Sequence, residues 1–368
     1  MRVLHVITGL GIGGAEQQLR LLLRHLPVRG DVVTLTDPGP VADALCADGV
    51  PVAHLGMRGN RDLTALPRLV RLVRRGRYDI VHTHLYRACV YGRIAARLAG
   101  VRHVVATEHS LGATQIEGRP LGAGARALYL ATERLGSATV AVSDTVARRL
   151  ADWGVPPHRV RVVPNGVDAA GLAHDEAARR AARRRLGVPD GAYVVGGVGR
   201  LVPGKRFDVL VGAVAELPPD VRLLLVGEGP ERGRLERLAA ANGAAGRVVW
   251  AGAVTRDLPA LLSAMDLFVS PSADEAFGLA VVEALAAGLP VRYAACPALD
   301  DLPPGEAPSA RRIGGTAADV AAAVREARAA HAARPGRGPV PPAVRRYDIA
   351  HTARQLTTLY RTLHREGE

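Results

Sequence analysis

The sequence predicts an α/β chain of two doubly wound, Rossmann-like domains, and three observations carry that expectation. Short β-branched runs alternate with helical patterns along nearly the whole length, which is the signature of parallel sheets covered by helices. The pattern starts twice, at RVLHVIT (2–8) and at YVVGGVG (193–199), and each start runs into a glycine-containing loop. The length of 368 residues suits two domains at roughly 100–200 residues each.

Taken in order, the first half opens with strand 2–8, the loop GLGIGG and the segment AEQQLRLLLRHL (15–26). There Leu19, Leu22, Leu23 and Leu26 fall at helical spacing with Gln and Arg between them. Further strands are expected at 31–36, near Val52–Leu55, at 80–84, 104–109 and 139–143, with helices near 41–48, 63–75, 87–99 and 144–151. Ser143 before Asp144 reads as an N-cap. RVVPNGVD (161–168) closes this half, with Asn165 as a turn residue at the hinge. Segment 169–191 is polar and Arg-rich, an inter-domain connection with one short helix. The second half repeats the plan with strands at 193–199, 222–229, 248–252, 267–272 and 290–294, and helices near 206–216, 230–242, 257–264 and 278–287. Residues 300–342 show no tidy strand and helix restart, and 325–341, rich in Ala, Arg, Pro and Gly, reads as a mobile surface loop. A last helix, 348–364, carries an apolar stripe of Ile349, Leu356, Leu359 and Leu363. The expected domains are residues 1–168 completed by 346–368, and residues 169–345.

Composition narrows the function classes. No uninterrupted apolar run approaches the roughly 18 residues of a membrane span, and MRVLHVITGLGIGG runs into a glycine loop and a helix, so it is read as a buried strand and not as a leader. Three scattered cysteines, Cys46, Cys89 and Cys296, have no metal-ligand spacing, which predicts a reduced compartment and no zinc site. The formal charge is +13, but of 48 basic residues only Lys205 is lysine. Such a skew looks like compositional habit, and aromatics at 4% argue against a stacking platform for single-stranded nucleic acid.

Four constellations carry chemistry. Gly9, Gly11, Gly13 and Gly14 lie between the first strand and helix, where backbone N–H groups and a helix start favour an anion; taken alone the loop fits a tight βα turn equally well. Gly199-Arg200-Leu201-Val202-Pro203-Gly204-Lys205 follows the first strand of the second half, and its two cations suit a clamp on two phosphates, Arg by its fork and Lys as a point charge. A chain that uses arginine everywhere else has no reason to place its one lysine there for surface charge alone. Glu275 and Glu283 flank Ala276-Phe277-Gly278-Leu279; Gly278 opens a helix, so Glu275 stays in the loop while Glu283 sits one to two turns in. Carboxylates at the carboxyl end of an open sheet suit sugar hydroxyls. His109, after Glu108, closes one strand, as His82 and His84 do in IVHTH. Each histidine alone fits a structural role, and their shared place at strand ends favours a site.

GIGGAE, TEHS, VPNGVD, GRLVPGK, LLLVGEGP, SPSADEAFGLAVVEALAAGLPV and the closing helix stand in the order found in the retaining glycosyltransferases of family 4, which the chain resembles to about residue 291 and again at its end. The resemblance implies the GT-B fold, two facing Rossmann-like domains across a cleft, with the last helix crossing back to the first. It implies that Arg200 and Lys205 hold the donor diphosphate and stabilise the leaving charge. Glu275 would contact the donor sugar, Ala276 to Leu279 would bring main-chain amides to sugar and phosphate, and Glu283 would bind the ribose. His109 would lie beside the donor sugar, Gly199 would belong to the donor-binding set, and Gly13 and Gly14, counted with it, would shape the acceptor side and close on the diphosphate. Gly11, His84 and Glu108 are the candidates for the acceptor side. Neither cofactor nor metal is implied, and the sequence holds no D-x-D motif. The family usually continues past Pro290 with a Gly-Gly-x-x-Glu type of loop near the diphosphate; here the chain reads Val291 to Pro303 without it.

The reading is therefore a metal-independent hexosyltransferase moving a sugar from a nucleoside-diphosphate sugar, UDP-sugar favoured, to a glycan, lipid-linked or small natural-product acceptor, in the cytoplasm. Segment 58–77 adds Arg58, Arg61, Arg68, Arg71, Arg74, Arg75 and Arg77, of which Arg68, Arg71, Arg74 and Arg75 share one helix face. That face suits either plain solvation or peripheral contact with an anionic membrane. The alternatives are a GT-B nucleotide-sugar epimerase and a non-catalytic polyanion binder. Nucleic acid is not an expected partner.

Overall fold

The computed structural model describes residues 1–59, 62–113, 115–117, 119–120 and 122–365. The chain divides into two compact units, Met1–Gly166 with Ile349–Glu368, and Val167–Asp348.

The first unit opens with β1 (Arg2–Ile7), α1 (Gly14–Leu23), β2 (Arg29–Thr34), α2 (Gly39–Ala47), β3 (Val52–His54), α3 (Ala65–Gly76), β4 (Ile80–His84), α4 (Tyr86–Leu98) and β5 (His103–Glu108). A two-residue hairpin, β6 (Gln115–Ile116) and β7 (Arg119–Pro120), leads to α5 (Ala123–Glu133), β8 (Ala138–Ala141), α6 (Asp144–Trp153) and β9 (Val160–Val162). Seven strands form one parallel sheet in the order β3-β2-β1-β4-β5-β8-β9. The expected N-cap is present, Ser143 accepting from the Val146 amide at 3.1 Å. Helix α5 and strand β9 add to the elements anticipated from the sequence.

The second unit contains α7 (Glu176–Arg185), β10 (Tyr193–Val198), α8 (Phe207–Ala215), β11 (Val221–Val226), α9 (Arg232–Ala241), β12 (Val248–Gly252), α10 (Leu258–Ala264), β13 (Leu267–Ser270), α11 (Leu279–Ala286), β14 (Val291–Tyr293), α12 (Pro297–Asp300), β15 (Ala310–Arg312), α13 (Ala317–Ala333) and α14 (Pro342–Arg346). Its six parallel strands run β12-β11-β10-β13-β14-β15. The polar connection becomes α7, whose Arg179 and Arg183 each meet Asp266 at 2.7 Å.

Two expectations fail here. Residues 300–342 do restart the pattern, as β15 and α13, and 325–333 belong to a 17-residue helix and not to a loop. Thr316 and Asp319 form a capping box at its start, and Val320, Val324 and Ala327 bury its inner face. Ala and Arg, read as low complexity, are both strong helix formers.

The last helix, α15 (Ile349–Arg365), returns to the first unit. Ile349, Ala353, Leu356, Tyr360 and Leu363 pack with Val3, Ile80, Val105 and Val140 from the sheet and Leu22 from α1. Among the described residues no helix is long and apolar enough to cross a membrane.

Candidate active site

Each sheet reverses its winding once, between β1 and β4 in the first unit and between β10 and β13 in the second. Loops at the carboxyl ends of those strands splay apart, and open α/β sheets bind ligands there. Most of the candidate residues lie at these two places.

In the second unit, β10 runs into Gly199 and the segment Arg200–Lys205, which ends in a single 3₁₀ turn, Pro203–Lys205. The Lys205 ammonium meets the Glu275 carboxylate at 2.6 Å, so the loop after β10 and the loop after β13 are joined by an ion pair. Arg200, in the same loop, is exposed. Ser272, buried after β13, donates to the carbonyls of Gly204 at 3.1 Å and Asp274 at 3.2 Å, tying the same two loops through the backbone. Ser272 stands inside the SPSADEAFG run, but its residue type alone does not mark it.

The chain then turns through Phe277 and Gly278 into α11. Gly278 is the N-cap with φ 93°, a left-handed conformation suited to glycine, and a Cβ there would lie 2.5 Å from Cys296 Sγ. Phe277 is buried edge-on to Tyr347 at 5.1 Å. The segment that departs from the family pattern backs this turn: the Ala298 amide donates to the Phe277 carbonyl at 2.9 Å, and Tyr347 donates to the Ala298 carbonyl at 2.6 Å. Glu283 lies in α11, one turn past Leu279, where burial pushes its carboxyl up to about 7.

Two glycines that the sequence reading did not single out seat the cation loop. After β11, Gly227 takes φ 143° and lies against the Gly199 carbonyl, and Gly229 lies against the Leu201 carbonyl, with no room for a Cβ at either place. The Leu201 amide donates to Glu228 O at 2.9 Å. Their signal was the GEG spacing after a predicted strand.

In the first unit, Gly13 caps α1 without a side-chain hydrogen bond and Gly14 begins the helix, while Gly11 faces open space. A Cβ at Gly13 would collide with the Glu16 carboxylate, which folds back over the helix start. At the end of β4, Leu85 takes φ 73°, unusual for a branched residue. His109 follows β5 and is half-buried, its Nε2 3.1 Å from His84 Nδ1. Burial lowers its pKa to about 4. Two candidates are withdrawn from direct acceptor contact, since His84 and Glu108 are each 1% exposed. Glu108 turns inward to Cys89, 3.6 Å away, and burial raises its pKa to about 7 against the pull of Arg93. For Glu108 alternation decides this, since neighbouring residues 108 and 109 face opposite ways, whereas His84 shares the side of His109 and is covered there.

A doubly wound sheet made twice in one chain, with the last helix returned to the first sheet, is the GT-B fold. The family model described as Glycosyltransferase Family 4 matches residues 12–170, and that described as Glycosyl transferases group 1 matches residues 178–299. The chain belongs to this family of glycosyltransferases. A GDP-mannose-dependent alpha-mannosyltransferase of Mycobacterium tuberculosis is 33% identical over 294 residues, 76% of this chain and 75% of that protein. A D-inositol 3-phosphate glycosyltransferase of Salinispora tropica is 38% identical over 246 residues, 60% of this chain, so the match spans about half (50%) of that relative's length. The structure of HepE from Anabaena in complex with UDP-glucose superimposes with a TM-score of 0.85 at 24% identity, covering 98% of this chain and all (100%) of that one.

Proposed function

We propose that the chain is a retaining, metal-independent glycosyltransferase that moves a hexose-type sugar from a nucleoside-diphosphate sugar, UDP-sugar favoured, to a hydroxyl of a glycan, lipid-linked or small natural-product acceptor. The observation that carries the reading is the Lys205–Glu275 pair at the carboxyl edge of a doubly wound sheet. An ammonium has three donors, and Glu275 engages one of them. The pair therefore aims a cation whose other N–H groups serve phosphate oxygens, while Arg200 adds a planar fork. Charge that develops on the leaving diphosphate is met by groups already in place, with no reorganisation at the moment of transfer. Amides at the start of α11 serve the donor sugar and phosphate, Glu283 accepts from the ribose hydroxyls, and Gly13 and Gly14 offer the amides of α1.

Calorimetric titration with UDP-, GDP-, ADP- and TDP-sugars tests this. One nucleotide should bind selectively, and Lys205→Ala should weaken it roughly tenfold or more, the scale of one charge-assisted contact. Release of free nucleoside diphosphate during turnover separates transfer from epimerisation, and the anomeric configuration of the product by NMR tests retention. Failure of all four nucleotides to bind sinks the reading.

For the acceptor, the exposed face of α3 supports contact with an anionic surface. Arg71 and Arg75 are exposed there, and Leu63, just before the helix, is 72% exposed. Arg68 and Arg74 instead turn back to the carbonyls of Leu55 and Leu98, at 2.9 and 2.6 Å. Arg61 lies outside the described residues. Sedimentation with liposomes should depend on anionic lipid; indifference to lipid charge removes this part.

A further inference from the structure

Three histidines from neighbouring strands form a hydrogen-bonded row inside the first unit. His5 Nδ1 lies 3.1 Å from His84 Nε2, and His84 Nδ1 lies 3.1 Å from His109 Nε2. Among the described residues, the two outer nitrogens, His5 Nε2 and His109 Nδ1, are buried without a hydrogen-bond partner. His82 stands beside the row, with its Nδ1 2.5 Å from the Tyr360 hydroxyl and its Nε2 2.7 Å from Thr107 Oγ1. Burial lowers the pKa of His5 to about 3, against an opposing pull from Asp31, and holds His82 and His84 well below the usual histidine range. All four rings are neutral at pH 7.

A neutral imidazole carries one N–H and one lone pair. Two N–H···N bonds in series therefore have only two arrangements, and in each all three rings point the same way. If His5 donates from Nδ1, so does His84, and His109 is left with Nδ1–H. If the row runs the other way, His109 Nδ1 carries a lone pair and His5 Nε2 carries an unmatched N–H. That far end is sealed: His5 is 0% exposed, and a Cβ on Gly30 would lie 3.5 Å from His5 Nε2 and 2.9 Å from Leu23 Cδ2. An orphan donor there has no means of finding a partner, and buried N–H groups without partners are rare. His109 is half-buried where His5 is fully buried, so its end of the row is the one nearer the surface, although Nδ1 itself is covered here.

We propose that His5 and His84 are positioning residues whose row fixes the tautomer and ring orientation of His109, leaving its Nδ1–H as the donor to an oxygen of the bound sugar. The proposal rests on the reading that His109 lies beside the donor sugar. It differs from a metal site, although one nitrogen each from His5, His82 and His84 lies within 4.8 Å of the others. Both nitrogens of His82 already meet hydroxyls, and the group includes no carboxylate or thiol to offset a divalent charge.

The test is ¹⁵N NMR of the full chain labelled in histidine, followed by turnover of UDP-glucose. His5, His84 and His109 should all show the Nδ1–H tautomer, with scalar coupling across both N–H···N bonds and no change on adding a chelator. An Nε2–H tautomer at His109, missing coupling, or stoichiometric zinc bound by the trio overturns the row. His84→Leu should lower kcat for UDP release by roughly ten- to a hundredfold, the scale of a misplaced group, with KM changed less. His84→Asn, which keeps an amide near Nδ1, should restore most of it. Wild-type turnover in a folded His84→Leu overturns the positioning role. If the unaltered protein binds none of the UDP-, GDP-, ADP- and TDP-sugars, the reading of the donor site fails, while the spectra still decide the row; if another of them binds, it replaces UDP-glucose in the turnover assay.

Discussion

Glu283 gives the sharpest prediction at the scale of one residue. Its carboxyl has a pKa pushed up to about 7 by burial, and the ionised form accepts from ribose hydroxyls more strongly than the acid does. Donor binding should therefore weaken as pH falls below about 7, approaching tenfold per unit. Calorimetry of the preferred nucleotide sugar between pH 5.5 and 8 reads this directly, and Glu283→Gln should flatten the profile; a flat profile in the unaltered protein argues against Glu283 as a ribose ligand. Gly278 offers a stability counterpart. Gly278→Ala meets both an unfavourable φ of 93° and a Cβ 2.5 Å from Cys296 Sγ. It should cost about 1–3 kcal/mol in denaturant unfolding. Gly278→Ala with Cys296→Ala should recover only part, because the backbone term remains.

Among the elements, the cation loop Gly199–Lys205 depends on its neighbour after β11. Gly227→Ala would drive a methyl into the Gly199 carbonyl and displace the loop that carries Arg200 and Lys205. The expected outcome is loss of nucleotide binding on the scale of Lys205→Ala, with circular dichroism showing the secondary structure retained. Binding equal to the unaltered protein would mean that the loop is not set by this contact. The same scale explains why α13 is not legible in the sequence: a capping box and a buried stripe at 320, 324 and 327 are present, but small alanines weaken any contrast between helix faces.

For the whole molecule, the two units should respond differently to acid. In the first, His5, His82, His84 and His109 have folded pKa values below their unfolded ones. The unfolded chain then binds more protons below about pH 6.5, and each histidine costs the fold about 1.4 kcal/mol per pH unit down to its folded pKa. Glu108 has the opposite sign, its raised pKa adding stability as pH falls from about 7 toward 4.5, but it is one group against four. Among the described residues the second unit has a single such histidine, His174, offset by Glu283. Calorimetry at pH 7.5 and 5.5 should show the first unit's transition moving down much further than the second's. Equal shifts would contradict the neutral histidine cluster.

The sequence by itself determined most of the local structure and the chemical identity of the donor-side candidates. Alternating apolar periods mark β1, β4, β10 and β13; glycines mark the turns that follow β1 and β10; and Lys205 is distinguished as the lone lysine. Those signals are local, because hydrophobic period and backbone freedom act within a few residues. Strand order decided the rest. His5, His84 and His109 lie 79 and 25 residues apart along the chain and meet only because β1, β4 and β5 are neighbours in the sheet. Glu108 and His109 are adjacent in sequence yet serve the interior and the sheet edge, since a strand sends successive side chains to opposite faces. Which residues share a face across strands is set by pairing and register, and that is a property of the tertiary structure alone.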